Sequence, residues 1–121
     1  MTESLYERLG GTEGITQIAS DAVDNHLANP AIATRYENAK ASVDEMKNAA
    51  ATFFIAGTGG PNCYEGKNLL DAHKGMNING TEFMAVLDDI LGALQKNGIS
   101  QKVQEEVLFI LYSMRGEIVR V

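Results

Sequence analysis

A single cysteine, Cys63, occurs in this chain of 121 residues, which leaves no partner for an intramolecular disulfide. No apolar run approaches the roughly 20 residues that a membrane-spanning helix needs. No basic start followed by an apolar stretch precedes Leu5, so nothing marks the chain for export and a cytoplasmic location is the expectation. Basic residues are scarce too: 10 Lys and Arg against 16 Asp and Glu give a formal charge of −6. Neither nucleic acid nor an anionic membrane suits that balance, because each requires a concentrated basic patch. The charge is read as a solvated surface. Internal repeats, low-complexity segments and linkers are lacking, and with only 2 prolines the punctuation between elements falls mostly to glycine. The 45% of apolar residues describes one globular domain, residues 1–121, large enough to bury a core unaided.

What is present is helical periodicity, and the chain reads all-α. After a short opening helix and a turn at Gly10-Gly11, Thr12 is placed to cap a helix carrying Ile15, Ile18, Ala19, Ala22, Val23 and Leu27 at helical spacing. Pro30 stops it. Ser42 and Glu45 have the spacing of a capping box, and the helix they open carries Val43, Met46, Ala50, Phe53 and Phe54 until Gly57 ends it. The clearest amphipathic pattern is Phe83, Val86, Leu87, Ile90, Leu91 and Leu94, terminated at Gly98. Ser100 then caps a last helix running through Val103, Val107, Ile110, Leu111, Met114 and Ile118. Two long apolar stripes joined by so short a loop are expected to pack antiparallel.

The most informative stretch is Gly59-Gly60-Pro61-Asn62-Cys63 through Leu69-Leu70-Asp71-Ala72-His73. Glycines end one helix, and a histidine comes after them on an apolar turn. On a helix, Leu69 and Leu70 share the face of His73 and would hold its imidazole against something flat and apolar, which suggests haem. A hydrogen-bonded core histidine produces the same pattern, and these residues by themselves leave both readings open.

The opening Leu5-Tyr6-Glu7-Arg8-Leu9-Gly10-Gly11, the Phe53-Phe54 pair, the Gly59-Gly60-Pro61 break, and Ala72-His73 followed by Gly75-Met76-Asn77-Ile78 together resemble the group I truncated haemoglobins. Phe83 falls 10 residues beyond His73, as in that family, and the resemblance covers nearly the whole chain. It implies a truncated globin fold, a helical sandwich around haem b, with His73 as the proximal iron ligand and a sixth position open to a diatomic gas such as dioxygen, carbon monoxide or nitric oxide. Mapped onto the family pattern, the haem pocket is lined by Tyr36, Met46, Ala50, Phe53 and Phe54 on one side, and by Leu69, Ala72, Met76, Ile78, Phe83, Val86 and Leu111 around the other.

This chain departs from the family on the distal side. Group I members usually carry a Phe-Tyr pair near the end of the second helix and often a glutamine on the distal helix, as donors to bound dioxygen. The corresponding positions here are Ala22-Val23, Met46 and Ala50, none of which donates from its side chain. Tyr36 stands where the family generally has phenylalanine, and a related subgroup uses a tyrosine there as a donor; the alternative is packing with the hydroxyl in water. Met46 either fills space or ligates iron through its thioether. His26 is read as a boundary histidine bonded to a carbonyl, with a distal, second-ligand or pH-sensitive role as alternatives. Tyr64 and Lys67 are candidates for the haem propionates, and Cys63 is read as a small loop side chain, with an exposed reactive thiol as the alternative.

Two function classes are open on this reading. One is reversible gas binding; the other is a nitric oxide dioxygenase, served by a reductase, which oxidises nitric oxide to nitrate. Missing donors favour the first, because dioxygen would leave quickly. A haem-free helical interaction module is the third reading, and a monomer or weak dimer the expected state.

Overall fold

The computed structural model describes residues 3–37 and 40–121, with the side chain of Leu69 excepted. Among these residues six α-helices occur: α1 (Leu5–Arg8), α2 (Gly11–Ala28), α3 (Val43–Gly57), α4 (Leu69–His73), α5 (Gly80–Lys96) and α6 (Gln101–Ser113). Short 3₁₀ turns at Ala33–Tyr36 and Arg115–Glu117 complete them, and no strand forms among the described residues. Helix α2 is the hub, packed on α3 and α5, and the antiparallel pair α5 and α6 closes the other side.

Local chemistry sets most of the boundaries. Ser4 with Glu7, Ser42 with Glu45 and Asn79 with Glu82 each form a reciprocal capping box, while Ser100 accepts from the Val103 amide to open α6. Thr12 does not cap α2. The helix begins one residue earlier, behind Gly10 in the left-handed region at φ 98°, and the Thr12 amide donates to the Tyr6 hydroxyl at 3.1 Å. The Tyr6 and Thr12 hydroxyls are also hydrogen-bonded at 2.6 Å, and the Tyr6 amide donates to the Thr58 carbonyl at 2.8 Å, so one aromatic residue pins α1 to both α2 and the end of α3.

Two ties hold the helices in register beyond apolar contact. Arg8 on α1 grips Glu106 on α6 with both Nη atoms of its guanidinium. Asp21 is buried on α2, where it receives Asn97 at 2.9 Å, Gln17 at 3.2 Å and Lys96 at 3.3 Å. Burial pushes its carboxyl up, but these donors outweigh burial and leave it below the ordinary value.

Helix α6 stops at Ser113, short of the stripe that the sequence extends to Ile118. The backbone beyond it bonds elsewhere: the Arg120 amide donates to the Ile78 carbonyl at 2.9 Å, and the Val121 carbonyl accepts from the Gly75 amide at 3.1 Å. The end of the chain is thereby laid across the segment just beyond His73. The apolar core centres on Ile15, Leu94, Val103 and Val107 at the α1 side of the molecule. Ala22 and Ile90 belong to it and also face a cavity on the opposite side.

Candidate functional site

That cavity measures about 410 Å³, within the range of small-molecule and cofactor sites. Helix α2 contributes Ala22, Val23 and His26; the first 3₁₀ turn and the residue before it contribute Ile32, Arg35 and Tyr36; α3 contributes Met46, Ala49, Ala50, Phe53 and Phe54. Across from these lie Ala72 and His73 of α4 with Tyr64, Met76 and Ile78, then Glu82, Phe83, Val86, Leu87 and Ile90 of α5, and Leu111, Met114 and Ile118.

Tyr36, Met46, Ala50, Phe53, Phe54, Tyr64, Ala72, His73, Met76, Ile78, Phe83, Val86 and Leu111, drawn from sequence segments far apart, thus meet around one space. Leu69 is expected among them, but its side chain lies outside the described residues. Leu70 does not join them: α4 is a helix of 5 residues, a little over a turn, and Leu70 is 44% exposed instead of backing the His73 ring.

Several wall residues carry a helical signal that extends the same stripes by one step. Ala49 precedes Phe53 by four residues, and Leu87 and Ile90 come after Phe83 at helical spacing. Arg35 and Glu82 carry none, because their relation is purely tertiary. They form a bidentate pair in which Arg35 Nη2 donates to Glu82 Oε1 at 2.8 Å and Nε to Oε2, while Nη1 donates to the Met76 carbonyl at 2.7 Å. The pair holds Glu82 below the ordinary carboxylate range and Arg35 above the ordinary guanidinium value, chiefly through these hydrogen bonds.

The polar members of the wall have identifiable partners. The Tyr64 hydroxyl donates to the Lys67 carbonyl at 2.6 Å and its ring packs edge-on to Phe53 with centroids 5.3 Å apart, so the hydroxyl is committed to the loop. Lys67 itself is exposed and does not line the cavity, and Cys63 is also exposed. His26 bonds to a carboxylate and not to the carbonyl expected for it: Nδ1 lies 2.8 Å from Asp89 Oδ2, with both side chains 12% exposed. Tyr36 lies over His26 with parallel rings and centroids 6.2 Å apart. Burial pushes the Tyr36 phenol up, and the charge of Asp89 adds to it. The hydroxyl therefore keeps its proton near neutral pH and remains a donor.

The arrangement is a helical shell around a largely apolar cavity with two imidazoles, His26 and His73, in its wall, and the fold is that of a globin. The chain belongs to the bacterial-like globins, whose family model matches residues 4–120. Within that family it is similar to group 1 truncated hemoglobins: 27% identical over 116 residues to that of Tetrahymena pyriformis, covering 96% of this chain and 94% of the relative. It is 32% identical over 110 residues to GlbN of Synechocystis, covering 86% of each. The crystal structure of the Tetrahymena pyriformis truncated hemoglobin in the Fe(III) form superposes with a TM-score of 0.92 at 26% identity, covering 98% of this chain and all of that one.

Proposed function

We propose that the cavity holds haem b, that His73 is the axial ligand of its iron, and that the opposite side of the cavity binds diatomic gases reversibly. The supporting observation is a largely apolar wall in which His73, on α4, faces the space across from Met46, Ala50, Phe53 and Phe54 of α3. No group of three or more His, Cys, Asp or Glu side chains able to hold a metal ion occurs among the described residues. A macrocycle would supply most of the metal's ligands itself, and the protein would hold it with apolar walls and the imidazole nitrogen of His73. Phe53, Phe54, Phe83 and Val86 supply such walls. When bound, the haem supplies the site at which a gas is held.

On the gas side, Ala22, Val23, Met46 and Ala50 line the cavity and none of them donates a hydrogen bond from its side chain. Tyr36 is the donor of that wall. Its protonated hydroxyl favours a second reading, a nitric oxide dioxygenase fed by a reductase, to the extent that it prolongs the residence of dioxygen. The same proposal takes residues 1–121 as one domain, working in the cytoplasm as a monomer or weak dimer.

The test is to supply haem to the purified protein and record its spectra. A strong Soret band and a high-spin deoxygenated ferrous form are expected. A low-spin ferrous form would mean that Met46 or His26 fills the sixth position, and no Soret band would leave the haem-free interaction module.

A further inference from the structure

Among the described residues, six polar side chains line the cavity: His26, Arg35, Tyr36, Tyr64, His73 and Glu82. Arg35 and Glu82 are spent on each other, and Tyr64 donates to the Lys67 carbonyl. With His73 taken as the axial ligand, His26 and Tyr36 remain to meet a bound molecule. Their chemistry differs. The Asp89 carboxylate only accepts, and it already receives Asn29 Nδ2 at 3.1 and 3.2 Å. In the neutral ring the carboxylate therefore selects the tautomer with the proton on Nδ1, and leaves the lone pair on Nε2, which has no described hydrogen-bond partner. Asn25 and Asn29 hold the backbone and side chain of Asp89 in place, Asn25 from the same helix as His26 and Asn29 from the residue that ends it.

We propose that His26, oriented by Asp89, is the proton acceptor of the cavity and gives it a preference for weak-acid ligands of the type H–X, such as hydrogen cyanide or hydrogen sulfide, over aprotic gases of similar size. The proposal rests on the haem reading above. The H–X bond breaks heterolytically, its electron pair stays on X, and the proton forms a bond to Nε2. The resulting imidazolium keeps its Nδ1 hydrogen bond and gains an ion pair with Asp89, while X⁻ is left as the anionic ligand of the cavity. The titratable groups against His26 are Asp89 from α5 and Tyr36 from the 3₁₀ turn. Arg35 of the 3₁₀ turn pairs with Glu82 of α5, and Lys47 of α3 with Asp24 of α2. A cation formed on His26 therefore finds its countercharge in Asp89.

Two measurements decide it. Nitrogen-15 NMR of the histidine rings, with the His26 signals assigned by their loss in His26→Gln, should show Nδ1 protonated and Nε2 bare, in protein with or without haem. A proton on Nε2 instead overturns the proposal without any variant having to fold. Stopped-flow mixing then compares cyanide binding to the ferric protein with carbon monoxide binding to the ferrous protein. His26→Gln removes the acceptor, and Asp89→Asn, which can itself donate, turns the tautomer around. Each should slow cyanide by about tenfold more than it alters carbon monoxide binding. Equal slowing of both ligands would reduce His26 to a shaping residue, and unchanged cyanide rates with normal haem uptake sink this proposal alone. Failure to take up haem sinks the cofactor reading and this one with it.

Discussion

Tyr36 combines a ring that packs on His26 with a hydroxyl that burial and Asp89 keep protonated, so its replacement by phenylalanine separates packing from hydrogen bonding. If the hydroxyl reaches the gas, Tyr36→Phe should speed dioxygen release by roughly three- to a hundredfold, the equivalent of about 0.7–2.7 kcal/mol, and raise the carbon monoxide stretching frequency. Carbon monoxide affinity should move less, since it gains little from a donor. Flash photolysis and infrared spectra check both; unchanged values make Tyr36 a packing residue and weaken the dioxygenase reading. At His73 the expectation is coarser. His73→Ala should release haem far faster to an acceptor globin, because the axial bond goes while the apolar walls remain, and an unchanged ferrous spectrum would pass the ligand role to His26. The type of these residues was legible from spacing, but their partners were not. Nothing in the sequence says that His26 meets a carboxylate 63 residues away, or that Arg35 meets Glu82, since both relations arise only when α2, the 3₁₀ turn and α5 pack.

Among the elements, the weakly supported one is α4 with the segment behind it. A helix of 5 residues holds His73, and the chain just beyond it is tied back by Arg35 at the Met76 carbonyl and by the chain end at Gly75 and Ile78. Isolated helices so short have little stability of their own, so these ties position the imidazole. Because Arg35 holds Glu82 below its ordinary value of 4.5, the ionised form is favoured in the folded state. The stability it contributes is complete above that value and is lost as pH falls through the lower folded one; Asp21, also depressed, acts in the same direction below its ordinary 3.8. The unfolding midpoint should therefore rise with pH between about 3 and 5. Arg35→Ala should flatten part of that rise, lower stability at neutral pH by about 0.5–1.5 kcal/mol, and hasten haem loss. A parallel profile displaced without any change of slope would mean that Glu82 is not held by Arg35 in solution. The long elements were easier to read because their signals are local: the capping box at Ser42 and Glu45 and the stop at Gly57 lie where α3 begins and ends. Thr12 misled because a tyrosine from α1 supplies the acceptor, and α6 ended early because the last backbone groups bond across to Ile78.

For the molecule as a whole, the central fact is a cavity of about 410 Å³ in a chain of 121 residues. Haem in this space takes the place of solvent against apolar walls and so stabilises the elements that border it. Without the cofactor, the elements with the fewest other contacts should yield first. The division of the molecule says which these are. Leu5, Ile15, Leu94 and Val103 form a core that does not depend on the cavity, whereas α4 and the Ala33–Tyr36 turn border it with little else beneath them. Binding at a thousandfold excess over Kd adds about 4 kcal/mol, so removal of haem should lower the unfolding midpoint by about 10–20 °C for a chain of this length. Amide exchange should rise at residues 33–36 and 69–78 while the cores of α2 and α5 stay protected. Calorimetry and exchange mass spectrometry of the two forms check this directly. Equal midpoints and equal exchange at His73 would mean that the cavity holds its shape alone and that haem is not what completes this fold.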